Sequence, residues 1–329
     1  MSSTSVAETA TPPASGHGLT RGAGRRGPHR RKVRMTAGAW RQWLIPFLLI
    51  VPMLASLLAV SLYPVLRTIW LAFTNTSLET QSSQFTGFAN VTRLFHDATF
   101  WQAWRQTLEF TAVTTIVETL LGLVIALALV KKFRGRGFVR AAVLVPWAIP
   151  TVVTARMFSW LFDQGGLINY LLVETHLVSQ PVNFLGSTTL ALPTLMAADI
   201  WKTTPFMALL LLAGLQTIPA GLNEAARIDG ASAWSYFWRV RLPLLMPTLL
   251  VASLLRALDA FRVFDLPYVV TGGGPANSTQ TMSTYAYNIL FSGLEIGYGS
   301  AIATAMFVTE VFIAGAFGLF IVRRIRQEG

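Results

Sequence analysis

Six apolar stretches, each about as long as a helix that crosses a lipid bilayer, constrain this chain more than any other feature. Crossing about 30 Å of hydrocarbon takes roughly 20 helical residues. The stretches run Leu44–Leu66, Leu108–Val130, Val139–Leu161, Leu190–Leu212, Leu244–Val270 and Ile302–Val322. Backbone polar groups facing lipid must be satisfied within their own segment, so each stretch is expected to be a helix. The expected fold class is therefore an all-α membrane protein. Composition agrees, since 53% of the 329 residues are hydrophobic and only 12% are charged. Soluble domains carry about a quarter charged residues. Cysteine is absent, which excludes disulfides and thiolate metal sites.

The distribution of Lys and Arg sets an orientation. The tail to Arg41, the loop Lys131–Arg140, the loop holding Arg227, Arg239 and Arg241, and the C-terminus hold 19 of the 26 basic residues. The intervening loops are nearly bare: the first has Arg93 and Arg105, and residues 163–189 and 271–297 have none. Such alternation places both termini and the Arg227 loop in the cytoplasm. The net charge of +11 then reads as topology and attraction to anionic lipid headgroups, with no nucleic-acid partner. Residues 1–40 are expected to form a disordered basic cytoplasmic tail, because they offer little apolar surface to bury. Residues 41–329 would form the membrane domain.

Between the fourth and fifth stretches lies a polar island at 218–247. Glu224, Arg227 and Asp229 sit at helical spacing beside Ala225 and Ala226, both strong helix formers. Asn223 is the expected N-cap. Gly230 allows a change of direction. Trp234, Phe237 and Trp238 then mark one face of a second short helix, and Pro243 and Pro247 punctuate the return to the membrane. Glu224-Ala225-Ala226, Asp229-Gly230-Ala231, Phe237 and Leu242-Pro243 resemble the signature loop of ATP-binding-cassette importer permeases. More closely the loop resembles the branch that contains the maltose, trehalose and glycerol-phosphate permeases. The resemblance covers residues 40 to 325. It implies the type I importer permease fold with both termini inside, in a multi-pass cell-membrane protein. It also implies an ATPase-coupling role for Glu224, Ala225, Ala226, Asp229, Gly230, Leu242 and Pro243. The implied partners are a second homologous permease subunit, two ATP-binding-cassette ATPase subunits and an extracytoplasmic solute-binding protein. The chain has no Gly-x-x-x-x-Gly-Lys-Ser/Thr run, so no cofactor is expected on it, and ATP with Mg would sit on the partner ATPase.

Ionisable groups in hydrocarbon are costly and line a cavity or pair. Arg67 and Arg156 fall near expected outer ends, where long side chains reach the headgroups. Arg256, Asp259, Arg262 and Asp265 recur every three residues as a polar stripe on one helix. Asp199, Lys202, Thr203 and Thr204 cluster before Pro205, which is expected to bend its helix. Two such patches suggest a shared aqueous cavity, or charges that pair between helices. The resemblance places Asp199, Lys202, Thr203, Phe206, Asp259, Arg262 and Val263 nearest the sugar site, with Trp201 and Phe206 available to stack on a ring.

Three function classes remain at this stage. The first is the permease subunit of an ATP-driven, binding-protein-dependent sugar importer, with a disaccharide such as trehalose or maltose as solute. The alternative is a self-contained transporter driven by an ion gradient, which explains the charges but not the signature loop. A membrane enzyme lacks any catalytic constellation. The four histidines fall in the tail and the expected outer loops, none at metal-ligand spacing.

Overall fold

A computed structural model describes residues 38–328. The expected basic tail lies almost wholly outside the described residues. The chain divides into two compact units, Met1–Leu57 and Leu58–Gly329. Helix α1 (Gly38–Leu57) is the described part of the first. The second opens with a π-helical turn, Leu58–Leu62, and continues as α2 (Tyr63–Leu71), α3 (Ala89–His96), α4 (Ala98–Val130), α5 (Arg136–Ala148), α6 (Thr151–Leu161) and α7 (Leu167–Glu174). Then come α8 (Ala191–Thr217), α9 (Ala220–Ile228), α10 (Ala233–Tyr236), α11 (Leu242–Phe261), α12 (Asp265–Val270), α13 (Met282–Tyr287) and α14 (Ile296–Glu328). Among the described residues there are only isolated antiparallel bridges, Thr74 with Phe85 and Ser77 with Ser82.

Among the described residues, five helical stretches suffice by length and composition to cross a membrane: Pro46–Leu71, Ala98–Val130, Ala191–Thr217, Ala233–Val270 and Ile296–Arg323. The third expected span is not a single helix. It is the pair α5 and α6, bent by 87°. Pro150 is the cause: the residue before a proline is pushed out of the α region, and Ile149 is extended at φ −74°, ψ 132°. Pro205 has no such effect, since α8 runs through it as one element. Helix α4 starts ten residues before its apolar core because the Asp97 carboxylate accepts from the N–H groups of Thr99 (2.9 Å) and Phe100 (3.3 Å).

Helices α4 and α8 share the largest interface, and α11 packs on both. Toward one end of this bundle Leu129, Met207, Leu211, Leu215 and Leu245 form an apolar core. Helices approach closely in membranes where small residues meet, and Gly122 shows it. A Cβ there would lie 2.8 Å from Met207 Cβ and 3.0 Å from the Ala208 nitrogen. Gly122→Leu is therefore expected to force α4 and α8 apart, costing about 1–3 kcal/mol by overpacking. A fall in the thermal midpoint of the purified protein would show it, and an unchanged midpoint would refute the close approach.

Candidate functional site

The interior of the bundle is organised by one arginine. Arg256 on α11 is 1% exposed. Its Nε and one terminal nitrogen bond both oxygens of Glu118 on α4, and that same nitrogen bonds Asp199 on α8. The other terminal nitrogen lies 3.1 Å from Asp259 Oδ2, one turn along its own helix. The Thr203 hydroxyl is 2.6 Å from Glu118 Oε1 and 2.6 Å from the Asp199 carbonyl. A guanidinium is suited to this junction because its planar donors satisfy several carboxylates at once. Glu118 is fully buried, and it is the residue that sequence reasoning missed. Its signal was present: a lone carboxylate inside an apolar stretch has to find a cation.

On the open side of this junction lies a polar cavity of about 570 Å³. Asp199, Lys202, Thr203, Asp259, Arg262 and Val263 all line it. Phe206 does not; it stacks on Trp147, a wall residue, at 5.6 Å and 17°. Trp201 packs against Phe158 at 5.6 Å, also away from the lining. The expected stripe on the fifth span is interrupted. Helix α11 ends at Phe261, Arg262 caps it, and Asp265 opens α12. Arg262 reaches Glu310 on α14 at 3.3 Å, while Arg256 turns inward. The charged lining residues are Asp199, Asp259 and Asp265 against Lys202, Arg256 and Arg262. Among the described residues Lys202 has no carboxylate within 4.0 Å. The lining thus holds three acids and three bases, with Glu118 bonded to Arg256 and Glu310 to Arg262 behind it.

The stretch after α12 extends the polar interior. Gly272 and Gly273 turn the chain with left-handed φ of 63° and 91°. Residues expected in an outer loop then bury themselves: Thr279, Thr281 and Met282 are 0% exposed. The Thr281 hydroxyl donates to the Val263 carbonyl at 3.0 Å, and the Met282 N–H donates to Thr107 on α4 at 2.9 Å. At the start of α4, Asp97 also accepts from the hydroxyls of Tyr285 and Tyr298. Arg93 lies 3.8 Å over the Tyr298 ring and pairs with Glu295. This clasp ties α3, α4, α13 and α14 together.

The signature loop forms a separate surface. Ile218, extended before Pro219, ends α8, and Pro219 takes the capping position of α9. Asn223, the expected N-cap, therefore lies inside α9. Asp229 closes the helix and Gly230 follows at φ +70°. Gly230 N–H bonds Arg227 O at 3.2 Å and Ala231 N–H bonds Ala226 O at 2.9 Å, the paired bonds of a left-handed helix stop. Glu224, Ala225, Asp229 and Gly230 are exposed, as is Ile228 at 86%. Ala226, Leu242 and Pro243 are half-buried, with Pro243 in the first turn of α11.

Residues 118–327 match the family described as "Binding-protein-dependent transport system inner membrane component". The chain belongs to this family. The permease is 43% identical to the trehalose/maltose transport system permease protein of Thermococcus litoralis, over 82% of this chain and 90% of that one. It is 40% identical to the trehalose transport system permease protein of Mycobacterium tuberculosis, over 83% and 87%. Its fold matches the crystal structure of a bacterial transporter that imports alginate, with a TM-score of 0.76 at 21% identity, covering 87% of this chain and 98% of that one. It is thus a multi-pass inner-membrane protein with the type I importer permease fold. It is not itself an enzyme. The gradient-driven alternative has no support among these relatives.

Two expectations follow for the permease. Arg256→Met leaves Glu118 and Asp199 buried without their cation, at a cost of about 3–5 kcal/mol. Adding Glu118→Gln to that chain should recover part of the lost thermal midpoint, and no recovery would argue against the junction. At the clasp, burial raises the Asp97 carboxyl, but the Tyr285 and Tyr298 hydroxyls and the Phe100 and Thr99 N–H groups outweigh it, leaving the group below its ordinary value. The clasp then contributes fully above the unfolded value of about 4 and loses its contribution as pH falls through the lower native value. Asp97→Asn retains the helix cap and removes the charge. Its deficit in thermal midpoint should be constant from neutral to mildly acid pH and shrink only below about 4.

Proposed function

We propose that this permease is one membrane subunit of an ATP-driven importer of a neutral disaccharide of the trehalose or maltose class. The observation that carries this reading is the cavity at Arg256, which pairs balanced charge with Trp147 and Phe264 in its lining. Hydroxyls of a sugar bond carboxylates and ammonium groups alike, and an apolar ring face lies well against an indole. Glu118 on Arg256 and Glu310 on Arg262 add acids beside the lining, which disfavours a fixed anion there. The names of the relatives, trehalose/maltose and trehalose permeases, support the same solute class.

Asp199, Lys202, Thr203, Asp259, Arg262 and Val263 would hold the solute, with Phe206 acting through Trp147. The basic loops place the exposed helix α9 in the cytoplasm. There Glu224, Ala225, Ala226, Asp229 and Gly230 would dock in an ATPase subunit, with Leu242 and Pro243 carrying the movement into α11. Two such ATPases bind ATP with Mg. A second, homologous permease completes the pore, and an extracytoplasmic solute-binding protein delivers sugar to the opposite face. Closure of the ATPases would pull α9, rock the helices and open the cavity outward; hydrolysis would return it inward. Coupling of this kind needs two sites that bias one two-state element, and α11 joins both.

The test is purification of the assembled complex, followed by sugar-stimulated ATP hydrolysis and uptake into proteoliposomes. Asp259→Asn is expected to weaken solute affinity about tenfold, the loss of one hydrogen bond to a charged group. Gly230→Leu and Glu224→Lys should abolish stimulation while the chain still inserts. Nothing lies within 4 Å of a Cβ built on Gly230, so Gly230→Ala isolates the backbone strain of about 1–2 kcal/mol from side-chain bulk. Undiminished uptake by Gly230→Leu and Glu224→Lys would remove the coupling role. Stimulation by neither trehalose nor maltose would remove the solute class.

A further inference from the structure

Two adjoining cavities lie on the signature-loop side, the first lined in part by Leu242 and the second by Ala226. The first is an apolar groove of about 920 Å³ between the end of α4, the segment from α10 to Arg241 and the start of α11. Leu123, Leu127, Trp234, Trp238, Met246 and Leu249 wall it. The second is a smaller cavity of about 440 Å³ that includes Asn223, Arg227 and Tyr236. Lys131, Ala233 and Arg241 line both. The pair therefore forms one amphipathic trough, with an oily arm, a basic arm and a seam of two cations. Among the described residues, no Asp or Glu lines either arm. Among the described residues Lys131, Arg227 and Arg241 have no carboxylate within 4.0 Å. The Arg241 guanidinium is held 4.9 Å over the Tyr236 ring, which fixes its charge at the seam. Trp234 and Trp238, in edge contact at 5.4 Å, stand 72% and 49% exposed at the mouth of the groove. Exposed indoles of this kind favour the interface between hydrocarbon and water.

We propose that this trough binds an anionic glycerophospholipid of the cytoplasmic leaflet, with an acyl chain along the groove and the phosphate among Lys131, Arg227 and Arg241. Charge complementarity decides the occupant. Lipid tails are as apolar as leucine, so the groove alone gives no preference over the surrounding bilayer. Selectivity must come from the basic arm, and basic pockets between membrane helices on the cytoplasmic side suit anionic headgroups. An acidic side chain of a protein partner would satisfy the cations but leave the groove empty. A zwitterionic lipid would fill the groove but bring no net charge to three cations. Because Arg227 belongs to α9 and Lys131 follows α4, a bound lipid would brace the coupling segment against the bundle. The inference uses only the cytoplasmic orientation and is independent of the transported solute.

The assembled complex, purified in mild detergent with phosphatidylglycerol and phosphatidylcholine supplied together, tests this by native mass spectrometry. Preferential retention of phosphatidylglycerol is expected, falling as salt is raised because the contact is ionic. Lys131→Gln with Arg241→Gln should lower that retention on the order of thirtyfold, and Lys131→Arg with Arg241→Lys should preserve it. Leu127→Trp, which fills the groove, should lower retention with the charges intact. Should the glutamine pair fail to assemble, the Leu127→Trp variant and the salt series on the unaltered complex decide. Equal retention of the two lipids would overturn the proposal. So would retention unaffected by Leu127→Trp, displacement of the lipid by glycerol phosphate alone, or a crosslink from residue 127 to a partner chain that occupies the groove.

Discussion

A charged group inside a membrane protein has to be matched, and Arg256 is where this chain does so. Its guanidinium joins α4 through Glu118, α8 through Asp199 and its own helix through Asp259. Removing the arginine leaves two buried carboxylates uncompensated, which costs far more than an intact pair contributes. The junction therefore holds three helices in one register. It also forms the floor of the polar cavity, so the group that fixes the packing is also the group that shapes the site.

That double role explains how the cavity is assembled from distant pieces of chain. Helix α8 contributes Asp199, Lys202 and Thr203, and α11 contributes Arg256 and Asp259. The bend between α5 and α6 supplies Trp147 and Thr151 on its two sides. The break at Ile149–Pro150 falls between them, so each arm of the bend contributes one wall residue. The second break, at Arg262–Phe264, has a similar consequence: Arg262 swings to Glu310 while Asp265 starts a new helix, yet both still line the cavity.

The spans were legible in the sequence, because hydropathy over about 20 residues is a collective signal that a single misplaced side chain does not erase. Gly230 was legible for a local reason, since few other residues accept its left-handed backbone. The misses were all matters of what a residue meets. Glu118 looked like an isolated acid until its arginine, 138 positions away in sequence, was in place. Asn223 has good capping chemistry, but Pro219 starts the helix earlier. Thr279, Thr281 and Thr284 fall in a stretch whose hydroxyls resemble surface composition; here they satisfy carbonyls and one another inside the fold. Phe206 sits at the right spacing, but the Trp147 ring covers it.

The charges around the cavity have an electrical corollary. A unit charge carried across a membrane potential of 100 mV exchanges about 2.3 kcal/mol with the field. With Glu118 and Glu310 counted beside the lining, five acids face three bases, so any change in the depth of this cluster exchanges energy with the field. An uncharged solute would leave that exchange unaltered. Any response of the permease to membrane potential would then come from the movement of these fixed charges.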